Sequence, residues 1–183
     1  GFQAYDFAGK EVTGLVTLFN LAPKLIDSFE ESLWSGESVF DKIHYLSTSR
    51  LIDGLQSLDF TTALAKFPQV GAKGEFTANI LYEKCNHAVS EDLCLDIRHA
   101  LASQTNTWLN QILESVPMEV MLRRFQEARL LDILFKTNYG SNDHPNRPAN
   151  MGFGYSQALP IIVSGLLAKE GEILIIENPE AHL

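Results

Sequence analysis

Residues 150–183 read NMGFGYSQALPIIVSGLLAKEGEILIIENPEAHL, and the order of features in this stretch decides the fold class. Near its end, Ile173, Leu174, Ile175 and Ile176 are consecutive apolar residues. A strand over Glu172–Ile176 that is apolar on both faces is expected in the middle of a parallel sheet. Glu177, Asn178, Pro179 and Glu180 follow at once. Ligands in open α/β sheets gather at the carboxyl ends of strands, and a carboxylate there is where a hard cation such as Mg²⁺ finds an oxygen ligand. A strand that simply ends in polar residues gives the same pattern.

Upstream, Gly152 and Gly154 flank Phe153, and Ser156 precedes the apolar residues Ala158, Leu159, Ile161, Ile162, Leu166 and Leu167. A helix is predicted from about Ser156 to Ala168, with Ser156 as its N-cap and Pro160 at the end of its first turn. Glycines permit close backbone approach and a helix start offers N–H groups to an anion, which together make a phosphate site. A capped helix after a glycine turn is the plainer alternative. The coupled order is more specific than either part: glycine-rich helix start, helix, break at Gly171, apolar strand, acid.

Working outward, RLLDILFKT (129–137) and MEVMLRR (118–124) form a predicted β-hairpin, and residues 138–150 are rich in turn formers. Helices are expected over 91–103, opening at Ser90, Glu91 and Asp92, and over 105–113, with Trp108, Leu109, Ile112 and Leu113 on the apolar side. Another starts near Gly74, and residues 53–73 read as irregular. KIHYL (42–46) is a short strand. Leu21, Leu25, Ile26, Phe29, Leu33 and Trp34 give residues 21–34 an amphipathic helical period. The segments are therefore a helical but unassigned 1–42, a helical insert region with the hairpin over 43–149, and the helix–strand unit 150–183. Alternation of strands and helices indicates an α/β fold, mostly a parallel sheet with flanking helices.

The chain has 183 residues, 45% of them hydrophobic and 20% charged, within the range of a soluble globular domain. No apolar run reaches the ~20 residues of a membrane span, and GFQAYDFAGKEV lacks the pattern of a signal peptide, so no membrane partner and a cytoplasmic location are expected. The net charge of −9 argues against general attraction to DNA. Arg123, Arg124, Arg129, Lys136 and Arg147 cluster in sequence and read as a solvated hairpin edge rather than a nucleic-acid face. Cys85 and Cys94 read as reduced thiols. With His87 and His99 they match no standard zinc spacing, and Cys94 and His99, five apart on the expected helix, would face different ways. Gly154-Tyr155-Ser156-Gln157-Ala158 ends in alanine and follows a loop, unlike the nucleophile elbow of a serine hydrolase.

Residues 150–183 resemble the ABC-type ATPase heads of the SMC, Rad50, RecF and OLD (overcoming lysogenization defect) proteins, closest to a bacterial subgroup reading GFGxSQxLP, an apolar strand, then E-x-P-E-x-H-L. Looser likeness covers IHYLSTSR (43–50), like the family's strand leading to an arginine; VGAKGEFTANIL (70–81), like its G-x-x-G-E helix start; and NTWLNQIL (106–113). The resemblance implies part of a P-loop NTPase head, with ATP and Mg²⁺ as cofactors and a second head, in a homodimer, as partner. Gly152, Gly154, Ser156 and Gln157 would act in trans as the signature element, and Glu177 would be the Walker B acid. Asn178 stands where many relatives have the catalytic glutamate. An amide positions water but takes no proton from it, so Glu180 or His182 would have to substitute. Relatives serve in DNA repair or phage defence, which implies DNA or a nuclease as a further partner. A non-catalytic scaffold with decayed motifs is the alternative.

No Walker A loop is found: the only Gly-Lys pair, Gly9-Lys10, has Ala4 in place of the first glycine and Glu11 in place of Ser or Thr. The chain therefore reads as one part of a head. ATP titrated calorimetrically into these 183 residues alone should show no micromolar binding; a micromolar isotherm would contradict the assignment of these motifs.

Overall fold

Leu131, Asp132, Ile133, Leu134 and Phe135 are consecutive and all buried, which in a strand means cover on both faces. They form the centre of β6 (Leu130–Thr137), which lies between β4 (Leu55–Ser57) and β5 (Met118–Phe125) in an antiparallel sheet of order β4-β6-β5. The computed structural model describes residues 3–5, 11–13, 43–50, 52, 55–58, 68–113, 117–137 and 145–180. The helix expected over 21–34, the Gly9-Lys10 pair and His182 lie outside them.

The chain divides into two compact units, Gly1–Ile43 and His44–Leu183. In the first, β1 (Gln3–Tyr5) pairs antiparallel with β2 (Glu11–Thr13), so the described part of this segment is β rather than helical. The second unit opens at His44 within β3 (Ile43–Leu46).

The expected hairpin is present: β5 pairs with β6 from Met118↔Thr137 to Phe125↔Leu130. Arg129 in its turn has φ +51°, a left-handed conformation that closes the reversal. β4 falls in the stretch expected to be irregular. Three residues carry too little pattern to announce a strand. It forms because Gln56 Oε1 accepts the Ala78 N–H (3.0 Å) and the Ser57 carbonyl accepts from Asn79 Nδ2 (2.7 Å), fastening it to the start of α1 (Thr77–Lys84).

α1 packs with α2 (Leu101–Leu113) and α3 (Phe153–Leu167), and their apolar faces join β6 in one core containing Ile80, Leu101, Leu109, Ile133, Leu159 and Val163. Two asparagines one helical turn apart fasten α2 to β5. Asn106 Oδ1 accepts the Val120 N–H and Asn110 Oδ1 the Met118 N–H, each at 2.8 Å. Two backbone donors on the outer edge of β5 are thereby satisfied.

The helix expected over 91–103 is absent. Only Glu91–Leu93 makes a short 3₁₀ turn, and α2 begins at Leu101. Asp96 explains the difference. Its carboxylate accepts from the Arg98 N–H (2.8 Å), the Arg98 guanidinium, Gln104 Nε2 (3.0 Å) and Thr107 Oγ1 (3.0 Å). An aspartate that bonds nearby backbone and side chains offers the chain an alternative to helix. Arg98, first by its side chain and then by its N–H, holds the Asp96 carboxyl down at about 2. Off the helix, Cys94 Sγ comes within 3.6 Å of His99 Nδ1, so the two do meet. Burial, Asp96 and Glu91 push the Cys94 thiol up, away from the reactive thiolate.

The sheets also correct the expectation of a mostly parallel one. β3 and β7 (Ile173–Ile176) form a two-stranded parallel sheet, while the three-stranded sheet is antiparallel. β7 has no second neighbour among the described residues. Ile176 packs toward the core, but Ile175 is 45% exposed, so the run is not enclosed on both faces here.

α3 starts at Phe153, three residues before the expected Ser156. Pro160 therefore sits in the helix interior, where it removes a donor and crowds the preceding turn at a cost of about 3 kcal/mol. Its ring is used for packing: a Cβ on Gly74 would stand 2.6 Å from Pro160 Cγ. Gly74 also has φ +78°, which L-residues rarely adopt. Gly74→Ala should therefore destabilise the fold by about 2 kcal/mol or more, read as a lowered midpoint of chemical denaturation. A midpoint unchanged from wild type would show that this close approach does not matter.

Candidate functional site

The carboxyl ends of β3 and β7 lie side by side, and the Glu177 N–H donates to the Leu46 carbonyl at 2.9 Å as the last bond between them. At the opposite end, buried His44 is hydrogen-bonded through Nε2 to Glu172 Oε2 (2.9 Å), which also accepts the Lys169 N–H (2.9 Å). Both ends of the pair are thus pinned, and the chain that leaves β7 starts from a fixed point.

Glu177 is the first residue past β7. Its Oε1 accepts from the Tyr45 hydroxyl at 2.9 Å and its Oε2 from the Thr48 N–H at 3.2 Å. The carboxylate is half-buried and held against the residues that end β3, at the rim expected from sequence. The Tyr45 phenol is pushed above its ordinary 10.0, chiefly because its hydroxyl donates to this carboxylate, with burial and the carboxylate's charge adding to the effect.

Beneath the rim lies the arginine that ends IHYLSTSR (43–50), to which the sequence assigned no role. Arg50 is fully buried. Nη1 donates to the carbonyls of Ser47 (2.8 Å) and Glu177 (2.5 Å), and Nη2 to the carbonyl of Asn178 (2.9 Å). Its own carbonyl accepts from Nε2 of Gln157 on α3. Burial lowers the proton affinity of the guanidinium, while the charges of Glu177 and Glu180 oppose that shift. The group stays cationic, because arginine is not deprotonated in proteins. Among the described residues, Arg50 Nε, Ser47 Oγ and Gln157 Oε1 are buried with no hydrogen-bond partner. Such atoms cost about 1–3 kcal/mol each and are uncommon in native folds.

Asn178 adopts φ +44°, and its carbonyl is one of the two on the β7 side that Arg50 grips. Asparagine tolerates the left-handed region far better than most residues, so the turn itself accounts for the amide at this position. Glu180 is exposed two residues on.

The structure separates the four residues expected at the helix start. Gly152 is exposed at the N-cap position with no atom within 4 Å of where a Cβ would stand, and Phe153 beside it is 67% exposed. Gly154 is half-buried in the first turn. Ser156 is not the N-cap: the helix starts three residues earlier, with Gly152 as its N-cap, and Ser156 lies inside α3, 4% exposed. Gln157 is also buried and turned to Arg50 rather than outward.

The clustered cations are largely engaged within the fold. Arg123 (2.7 Å) and Arg147 (3.6 Å) pair with the fully buried Asp132, and Arg124 bonds the Tyr82 hydroxyl. Among the described residues no group of three His, Cys, Asp or Glu side chains could hold a metal ion, and no helix is long and apolar enough to cross a membrane. Comparison of the chain with known protein families, with curated proteins and with solved structures returned no match.

A raised Tyr45 pKa means that its hydroxyl bond is intact below pH 10 and is lost only as pH rises through the higher folded value. The difference between the ultraviolet titrations of wild type and Tyr45→Phe should therefore have its midpoint above 10.0. The same difference curve in a Glu177→Gln background should fall back toward 10.0. A midpoint unaffected by Glu177→Gln would rule out the hydrogen bond as the cause.

Proposed function

We propose that this chain is part of an ABC-type ATPase head of the SMC/RecF/OLD-like kind, a P-loop NTPase fold in which nucleotide drives association with a second head. The observation that carries this is Glu177: an acid with no residue between it and β7, at the carboxyl rim of a parallel strand pair, its two oxygens oriented by Tyr45 and Thr48. That is the position of a Walker B carboxylate in such folds.

The residues present suit Mg²⁺ bound with a nucleotide better than Mg²⁺ alone. Each Glu177 oxygen accepts one hydrogen bond and keeps lone-pair capacity, and the side chain is half-exposed. Mg²⁺ is usually held by one or two carboxylates together with phosphate oxygens and water, so a cage of three acidic residues is not required. Bound there, the ion would neutralise charge on the transferred phosphoryl group. Gly152 supports the trans contact expected of the helix start, because the space where its side chain would stand is open. Ser156 and Gln157, enclosed in α3, would support that start from within. Positioning and charge dominate phosphoryl transfer, so turnover is expected to be slow but measurable, with Asn178 orienting water and Glu180 or His182 as the nearest proton acceptors in sequence. Work in DNA repair or phage defence, beside DNA or a nuclease, belongs to the same proposal.

A second proposal is a scaffold whose ATP chemistry has decayed. The left-handed Asn178, whose carbonyl is committed to Arg50, favours it. Glu177→Gln in the full-length protein separates the two. If the head hydrolyses ATP, phosphate release should fall by at least about tenfold, equivalent to ~1.4 kcal/mol of transition-state stabilisation. A measurable wild-type rate that Glu177→Gln leaves unchanged would exclude Glu177 from the chemistry.

A further inference from the structure

Arg50 is held at two ends by different parts of the fold. Its main chain is bonded to α3 through Gln157 Nε2 and its own carbonyl. Its guanidinium is bonded to the turn after β7 through the carbonyls of Glu177 and Asn178, and to the end of β3 through Ser47. The Glu177 carboxylate in turn accepts the Thr48 N–H, within the same segment 47–50. We propose that Arg50 is a positioning residue that couples the first half of α3 to the Glu177 carboxylate, so that a shift of the helix changes where that carboxylate is held.

Three observations support the coupling. A guanidinium is planar and rigid, so Nη1 and Nη2 cannot follow a moving backbone without displacing the three carbonyls they bond. Arg50 is fully buried, which leaves no water to replace a lost partner. Arg50 Nε, Gln157 Oε1 and Ser47 Oγ are buried without partners among the described residues, so hydrogen bonds remain to be made in a different arrangement of the same groups. A packed joint with spare donors and acceptors suits two discrete states better than continuous deformation. The helix start that would feel a second head, at Gly152 and Phe153, is exposed on the same helix that carries Gln157. Contact there would reach Glu177 through Gln157 and Arg50. That last meaning rests on the proposed nucleotide site; the coupling itself requires no nucleotide.

The test is amide hydrogen exchange on the full-length protein without nucleotide. Gln157→Leu removes the donor to Arg50 and keeps the side chain's bulk. The expected result is exchange at least about tenfold faster at the Thr48 and Glu177 amides, with the Phe135 amide in β6 unchanged. Arg50→Lys should act in the same way, and Ser164→Ala, buried on the same helix, should leave Thr48 and Glu177 as in wild type. Exchange at Thr48 and Glu177 within about twofold of wild type in Gln157→Leu would overturn the coupling, as would equal acceleration at Phe135, which signals general loosening. Should Gln157→Leu not fold, Gln157→Asn, one methylene shorter, is judged by the same criteria. ATP-dependent protection of the Glu177 amide in wild type reports separately on the nucleotide site, so the two proposals can fail independently.

Discussion

A fully buried guanidinium, that of Arg50, sets the position of everything around the β3–β7 rim. Removing a charged group from water costs several kcal/mol unless hydrogen bonds replace the lost hydration. Here the replacements are main-chain carbonyls from the end of β3 and the turn after β7. Bonds to a charged donor contribute about 1.5–3 kcal/mol each, so the set offsets the desolvation while locking two loops into one geometry. The Glu177 side chain then has little freedom: its main chain is gripped by Arg50, and its oxygens by Tyr45 and Thr48.

The same logic recurs through the unit. Buried and half-buried polar side chains, rather than apolar surface alone, decide which elements meet. Gln56 and Asn79 join β4 to α1, Asn106 and Asn110 join α2 to β5, and Asp132 draws Arg123 and Arg147 over the centre of β6. Apolar area drives collapse without direction, whereas each of these bonds satisfies one donor at one place and so selects a register. The cations near Asp132 and Tyr82 are better understood as parts of the fold than as a surface for phosphates.

Two residues break local rules where tertiary contacts compensate. Pro160 lies inside a helix, and its ring fills the space left by a side-chain-free Gly74. Asn178 takes a left-handed conformation so that the chain can turn directly after β7 and present its carbonyl to Arg50. Both positions lie in the segments that carry the candidate site. Rule-breaking of this kind concentrates where geometry matters more than local preference.

The hairpin was legible from residue order, with β5 and β6 ending within a residue of the expected limits, and so were the short strand at 43–46 and the acid at the end of β7. Periodicity and turn chemistry are local properties, and these elements obey them. The helix start at Phe153, the irregular 94–100 segment, the three-residue β4 and the predominance of antiparallel pairing were not legible. Each depends on a partner far away in sequence or on a side chain competing with the backbone, as Asp96 does. Sequence by itself determined the α/β character of the chain and the chemical identity of the rim carboxylate. Only the tertiary structure decided that Ser156 and Gln157 face inward and that Arg50 joins helix to rim, because a buried donor finds its acceptors in space and not along the chain.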